Sequence, residues 1–317
     1  MRVPRFGALA AALTAAVLLG LVPHPTAAAP TSLFQSGPRH RGHQVTDPRL
    51  DPLVVNLDRL SPAIGVVQDD RPKVGKYRCH ARTAHPWICR FGHKPKVMVA
   101  FGDSHMTQWF APLRWAARAS GYRLLWASKP GCPAPMVTQP FYQCMVWRTA
   151  LLDRLAKLPR IDLAVLGGSS WGTMLRPGTN TVILTSDDRA EQWRIGMNRT
   201  IRRLSPNTRR FMVIRDTPLM PMDVPTCLRS SSGDTRPCSQ PRWSGLQPGF
   251  WRAESSLARQ YARVSAVQFS SWFCAVGMCR PVTASRMVRF RDDDHLTNTF
   301  ATAMSGLMTR QVTMAGR

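Results

Sequence analysis

Carboxylates are scarce in this chain. Asp and Glu total 18 against 43 Lys and Arg, a formal net charge of +25 over 317 residues. That balance rules out an acidic, self-solvating polypeptide. It points to a polyanionic surface as partner, or to arginine-rich composition with no partner of its own. Long apolar runs are missing after residue 22, so no later segment is suited to cross a bilayer. Internal repeats and low-complexity tracts are absent, and so is any nucleic-acid recognition motif. The cysteines lack paired Cys-x-x-Cys spacing and neighbouring His clusters, which argues against a zinc site. Nothing in the chain calls for a metal or a cofactor.

The N-terminus is distinctive. Met1-Arg2-Val3-Pro4-Arg5 is a short basic segment, residues 6–22 are apolar, and Thr26-Ala27-Ala28-Ala29 offers small residues for cleavage. Residues 1–29 read as a secretory signal peptide cleaved near Ala29, with an uncleaved anchor as the alternative. The expected location is secreted, in the extracytoplasmic cell envelope. Cysteine usage agrees: all eight lie beyond the signal, and an even count in an exported chain implies disulfides. Eight cysteines allow 105 pairings. Their grouping favours neighbours in sequence: Cys79–Cys89, Cys132–Cys144, Cys227–Cys238 and Cys274–Cys279. With every cysteine so paired, none is left as a nucleophile.

Residues 30–76 are rich in Pro, Arg and His and are expected to be extended, packed on the body or partly mobile. Residues 77–317 form the main domain. From residue 96 onward, strand-like runs (96–101, 123–127, 162–166, 210–214, 266–269) alternate with helix-like ones (107–119, 145–158, 187–204, 250–263, 297–310). Strands separated by helices pair in parallel through right-handed crossovers. The expected fold class is α/β: a three-layer α/β/α, flavodoxin-like, doubly wound sheet of about five mostly parallel strands, with disulfide-stapled loops. In such a sheet, ligands bind at the carboxyl ends of the strands.

Four segments fall at that edge, at Ser104, Gly131, Gly167 to Trp171 and Asp292 to His295, and the first and last carry chemistry on their residues alone. Gly102-Asp103-Ser104-His105 follows the first strand and precedes a helix. A serine on a sharp strand-to-helix turn is held rigidly with its hydroxyl exposed, which is how a nucleophile is presented. Ser104 as a plain N-cap is the alternative. Near the C-terminus, Asp292-Asp293-Asp294-His295-Leu296-Thr297 places an acid three residues before a histidine. Asp292 can then hold the imidazole Nδ1–H and leave Nε2 free to take a proton from serine. By this spacing Asp293 and Asp294 are solvated or capping residues.

These motifs resemble those of the SGNH (GDSL-type) serine hydrolases. The resemblance is closer to the secreted SGNH domains associated with bacterial membrane O-acyltransferases. It runs from about residue 77 to 307. Its marks are Cys79-His80, Trp87-Ile88-Cys89-Arg90-Phe91-Gly92, Gly102-Asp103-Ser104-His105, Gln108-Trp109, Lys129-Pro130-Gly131-Cys132-Pro133, a strand ending near Trp171, and Asp292 to Thr297. The resemblance implies Ser104 as nucleophile, His295 as base and Asp292 as its orienter. It implies an oxyanion hole made by the N–H groups of Ser104 and Gly131. The family's Gly-x-Asn-Asp after the third strand is replaced here by Gly167-Gly168-Ser169-Ser170-Trp171. Ser169 or Ser170 is the local candidate for the third donor. His105 and Trp171 are candidates to line the acyl pocket, while Trp109 is expected to pack on the sheet.

The resulting expectation is an exported serine-dependent esterase or O-acyltransferase, for acetyl above all. It would act on an acylated cell-envelope glycan through an acyl-enzyme. Expected partners are that glycan, a membrane O-acyltransferase and the anionic envelope surface, with no nucleic acid. A non-catalytic glycan-binding protein with an esterase-like fold is the alternative.

Overall fold

A computed structural model describes residues 45–77 and 79–317. The signal-peptide reading and the start of the 30–76 segment lie outside the described residues.

The central sheet grows from short apolar runs. Strand β2 (Lys96–Gly102) is buried along its whole length after Lys96, and β4 (Ile161–Leu166) is buried throughout. Continuous apolar strands of this kind belong in the middle of a parallel sheet covered on both faces. Between them come α1 (Ser104–Thr107), α2 (Phe110–Ala119), β3 (Tyr122–Ser128) and α3 (Tyr142–Ala156). The chain continues through α4 (Ser186–Leu204), β5 (Thr208–Ile214), α5 (Val224–Ser230), β6 (Gln240–Pro241), α6 (Arg242–Gly245), α7 (Pro248–Gln260) and β7 (Val264–Val267). It ends with β8 (Cys274–Ala275), β9 (Met278–Cys279), α8 (Asn298–Ala303) and α9 (Ser305–Ala315). A first short strand, β1 (Cys89–Phe91), precedes β2.

The main sheet has six strands in the order β1-β3-β2-β4-β5-β7. All neighbours are parallel except β1, which runs antiparallel to β3. The five parallel strands are the five expected from the sequence. Their order makes the boundary between β2 and β4 the topological switch point, where a crevice opens at the carboxyl ends. Strand β1 was not expected. It is three residues long, borders solvent, and is tied to Cys79 by a disulfide.

Alternate residues of β2 serve two cores. Met98 and Ala100 join Leu124, Trp126, Leu163 and Met212 on the face covered by α2, α8 and α9. Val97, Val99 and Phe101 join Trp147, Leu151, Trp193 and Phe211 on the face where α3, α4 and α7 pack. A three-stranded sheet, β6-β9-β8, lies apart from the main one.

Several elements differ from the expected bounds. The helix expected over 107–119 breaks at Gln108–Trp109 into α1 and α2, which puts Pro112 in the first turn of α2, where its missing N–H costs nothing. The closing helix is likewise split at Met304. The expected long loop after β5 contains α5, β6 and α6. Residues 45–76 carry short 3₁₀ turns, and Val55, Leu60, Val67 and Val74 of this segment are buried in the first core. Asp51 anchors this run by pairing with fully buried Arg289 through two bonds of 2.7 and 3.2 Å.

All four cysteine pairs form as expected: 79–89, 132–144, 227–238 and 274–279. Among the described residues, no helix is long and apolar enough to cross a membrane.

Candidate active site

The turn after β2 is built around Asp103, not around the serine. Asp103 is buried; its Oδ1 accepts the His105 N–H at 2.8 Å and its Oδ2 accepts the Ser169 N–H at 2.8 Å. It therefore fixes the Ser104 turn to the segment after β4. Burial pushes its carboxyl up, against the pull of the neighbouring His105. Gly102 is needed for the same convergence. A Cβ there would stand 2.5 Å from the Gly167 carbonyl oxygen. Ser104 itself is partly exposed.

Gly131 follows β3 and is exposed with φ +66°, a conformation that favours glycine. Its loop is stapled by Cys132–Cys144 and held to β2 by the Lys129 N–H on the Gly102 carbonyl at 3.1 Å. The Ala134 N–H on the Gly167 carbonyl, 3.0 Å, ties it to the β4 turn as well. The segments after β2, β3 and β4 thus meet at the switch point.

Ser170 does not suit the donor role expected of it. Its N–H and its hydroxyl both donate to Asp216 Oδ2, at 2.7 and 2.9 Å. Both donors are spent on a carboxylate that follows β5. Ser169 also has its N–H engaged, by Asp103, so only its hydroxyl remains to donate; the oxygen accepts the Trp171 N–H at 3.3 Å.

His295 sits in a nest of carboxylates. Its Nδ1 lies 3.0 and 3.2 Å from the two oxygens of Asp292, and Asp294 Oδ1 lies 2.6 Å from the same nitrogen. Nε2 is buried with no hydrogen-bond partner among the described residues. Carboxylates on Nδ1 place the neutral ring's proton there and leave the Nε2 lone pair open. Burial lowers the His295 pKa, but the bonds to Asp292 and Asp294 outweigh it and raise the group above its ordinary range. Asp292 also accepts the N–H groups of Asp294 and His295 and a 2.9 Å bond from Arg291. Burial pushes Asp292 up, yet these donors hold it below the usual carboxylate range.

Asp294 is not the solvated residue that spacing suggests. It bridges two imidazoles, touching His295 with Oδ1 and His105 Nε2 with Oδ2 at 3.2 Å. Burial opposes its charge, but the bonds from His105 and His295 hold its carboxyl far below the usual range.

His105 lies buried beside the turn, where it borders a closed space with Gly167, Gly168 and Asp216. It is 3% exposed, its Nδ1 is 2.6 Å from Asp216 Oδ1, and its ring centroid is 4.8 Å from that of His295. Carboxylate oxygens face both of its nitrogens, an arrangement that favours the doubly protonated ring. Burial alone would lower its pKa, but Asp216, Asp294 and Asp103 raise it well above the ordinary value.

Gln108 locks the two halves together. Its Oε1 accepts the Leu296 N–H at 2.8 Å and its Nε2 donates to Thr217 Oγ1 at 3.2 Å. Asp216 and Thr217 lie outside the sequence motifs, and Gln108 is marked only by the resemblance. Asp216 stands at the carboxyl end of a parallel strand, and that position was the available signal.

Trp109 packs as expected, 2% exposed and 5.1 Å from the Phe269 ring. Trp171 is half-buried and borders a pocket of only about 10 Å³, room for about one water. A far larger groove, about 870 Å³, lies at the other edge of the sheet, lined by Phe91, Phe110, Arg114, Arg118 and Tyr122. Two groups of side chains, His105 with Asp294 and His295, and Asp292 to Asp294, bring potential metal-ligand atoms within 4.8 Å of one another. In the first group the contacts are complementary imidazole–carboxylate pairs, which satisfy each other without an ion.

A doubly wound sheet with a serine turn and a carboxylate-held histidine meeting at its switch point is the architecture of the SGNH class. A family-model comparison matches residues 78–310 to the SGNH domain fused to AT3 domains. The chain belongs to this family. A comparison with curated proteins finds no match. Similar solved structures include the periplasmic domain of a Salmonella ser. Paratyphi A lipopolysaccharide acetyltransferase. It is 14% identical, with 68% of this chain and 83% of that chain covered and a TM-score of 0.49. Est24, a carbohydrate acetylesterase from Sinorhizobium meliloti, is 15% identical with 69% and 99% covered and a TM-score of 0.44. The M. smegmatis aryl esterase is 15% identical with 68% and 98% covered and a TM-score of 0.44.

Proposed function

We propose that the protein is an exported serine-dependent esterase or O-acyltransferase that handles small acyl esters, acetyl above all, on an envelope glycan. The observation that carries this reading is His295: Nδ1 is held by carboxylates and Nε2 is left without a partner, close to the Ser104 turn. In this reading Ser104 Oγ attacks the acyl carbonyl carbon while His295 Nε2 takes its proton. Asp292 stabilises the imidazolium that forms. The carbonyl oxygen, now negative, rests on the N–H groups of Ser104 and Gly131, with the Ser169 hydroxyl as the local third donor. The proton passes from His295 to the leaving sugar oxygen as the ester bond breaks. Water, or a second sugar hydroxyl, then attacks the acyl-enzyme with His295 again as base.

Four disulfides support an oxidising compartment. Membership of a family fused to AT3 domains supports a membrane acyltransferase as partner. The +25 charge, and a groove rimmed by Lys73, Lys94, Arg114 and Arg118, favour an anionic envelope surface or glycan.

The alternative is a glycan-binding protein without turnover, which the engaged donors of Ser170 favour. Hydrolysis of a chromogenic acetyl ester by the chain lacking residues 1–29 separates the two. The expected result is turnover that Ser104→Ala abolishes. No turnover by the unsubstituted protein, with retention on envelope glycan, supports the alternative.

A further inference from the structure

Two carboxylates crowd one nitrogen of His295, and a single imidazole needs only one. Asp292 alone satisfies Nδ1 at 3.0 Å, yet Asp294 lies closer still, at 2.6 Å. Two negative charges at that distance would hold His295 as an imidazolium and make it a poor base near neutral pH. The compensating charge is His105, which reaches Asp294 Oδ2 with Nε2 at 3.2 Å and is braced from behind by Asp216 at 2.6 Å.

We propose that His105, held as an imidazolium between Asp216 and Asp294, is a positioning residue that sets the proton affinity of His295. It does so by drawing off the charge of Asp294 and by standing 4.8 Å from the His295 ring. The inference rests on the reading of His295 as the base.

The surrounding groups fit this role. His295 faces Asp292, Asp294 and His105, with Arg291 donating to the Asp292 oxygen nearest the ring. His105 faces Asp216, Asp294 and, more distantly, Asp103. Asp294 has Asp293 and Arg291 beside it. Asp216 is saturated by the Ser170 and Thr217 donors and lies near Arg215 and Glu254. The positive field of His105 lowers the His295 pKa, while Asp294 raises it. The two residues therefore pull the base in opposite directions.

That opposition gives a test. Asp294→Asn removes a carboxylate and shifts the His295 titration to lower pH. His105→Gln removes a cation and shifts it to higher pH, each by on the order of one pH unit. Two-bond ¹H–¹⁵N correlation of the labelled imidazoles reads both titrations without turnover, and the acid limb of kcat/KM should move in step. In the unsubstituted protein His105 should carry protons on both nitrogens at pH 7. Shifts in the same direction, no shift in either variant, or a neutral His105 at pH 7 would overturn the proposal. If His105→Gln does not fold, the protonation state of His105 in the unsubstituted protein and the Asp294→Asn shift still decide it. If Ser104→Ala retains turnover, the base reading falls, while the imidazole titrations report the coupling independently.

Discussion

At the scale of single residues, the site is a chain in which carboxylates alternate with imidazoles and a guanidinium. Asp216, His105, Asp294, His295, Asp292 and Arg291 follow one another at hydrogen-bond or ion-pair distance. Asp292 bonds to two backbone N–H groups as well as to His295, so it orients both the ring and its loop. Asp292→Asn is expected to lower kcat by roughly 100- to 10,000-fold, and Asp294→Asn by less, though measurably. Steady-state kinetics on an acetyl ester checks the order; equal kcat for Asp294→Asn and the unsubstituted protein would contradict it. Because His295 is raised above 6.5 and must be neutral to act, activity should climb with pH through a limb above that value. A profile already flat below pH 6.5 contradicts this placement.

Glu254 allows a residue-scale prediction away from the chemistry. It is buried, Trp193 Nε1 donates to Oε1 at 3.0 Å, and Oε2 has no partner among the described residues. Burial pushes its carboxyl up to about 8 from an ordinary 4.5. The protonated form is the one the fold tolerates. Its stabilising contribution is present below about pH 4.5 and is lost as pH rises through about 8. Glu254→Gln should therefore lose less Tm between pH 5 and pH 8 than the unsubstituted protein does. Parallel slopes in differential scanning calorimetry would contradict the assignment.

At the scale of elements, the segments after β2, β3 and β4 were legible in sequence because continuous apolar strands end in glycine-bearing turns. Spacing alone could not separate Asp292 from Asp294, since three consecutive acids offer two reaches to one imidazole. Neither could it show that His105 points inward: one turn of helix sets that direction, and its partner Asp216 is far away in sequence. The engagement of Ser170 was hidden for the same reason, because the carboxylate that claims its donors follows a different strand. The Gly131 loop is the element most open to test. Gly131→Ala forces a side chain into φ +66°, costing about 1–2 kcal/mol. Expected outcomes are a lower Tm and lower kcat with both Cys132 and Cys144 still oxidised. Unchanged kcat would remove Gly131 from the proposed hole.

At the scale of the whole molecule, residues 45–76 pack as part of the body. Composition rich in Pro and Arg left packing on the body and mobility both open, because the packing rests on scattered Val and Leu and on one ion pair. Asp51 and Arg289 are both buried, and removing one partner of such a pair costs about 3–5 kcal/mol. Asp51→Ala is expected to lower stability by that order in chemical denaturation; a change under about 1 kcal/mol would show the N-terminal run to be dispensable. The parallel pairing of five strands was legible from alternation alone, while the antiparallel edge strand β1, three residues long, left too little pattern to see.

The central claim is that Ser104, served by His295, carries the acyl group between donor and acceptor. Acid quenching of turnover on an activated acetyl ester, followed by peptide mass mapping, tests it most directly. The expected result is a single acetyl group on the peptide that contains Ser104, absent in Ser104→Ala and strongly reduced in His295→Ala. Acetyl found on another residue, or continued turnover by Ser104→Ala, would contradict it.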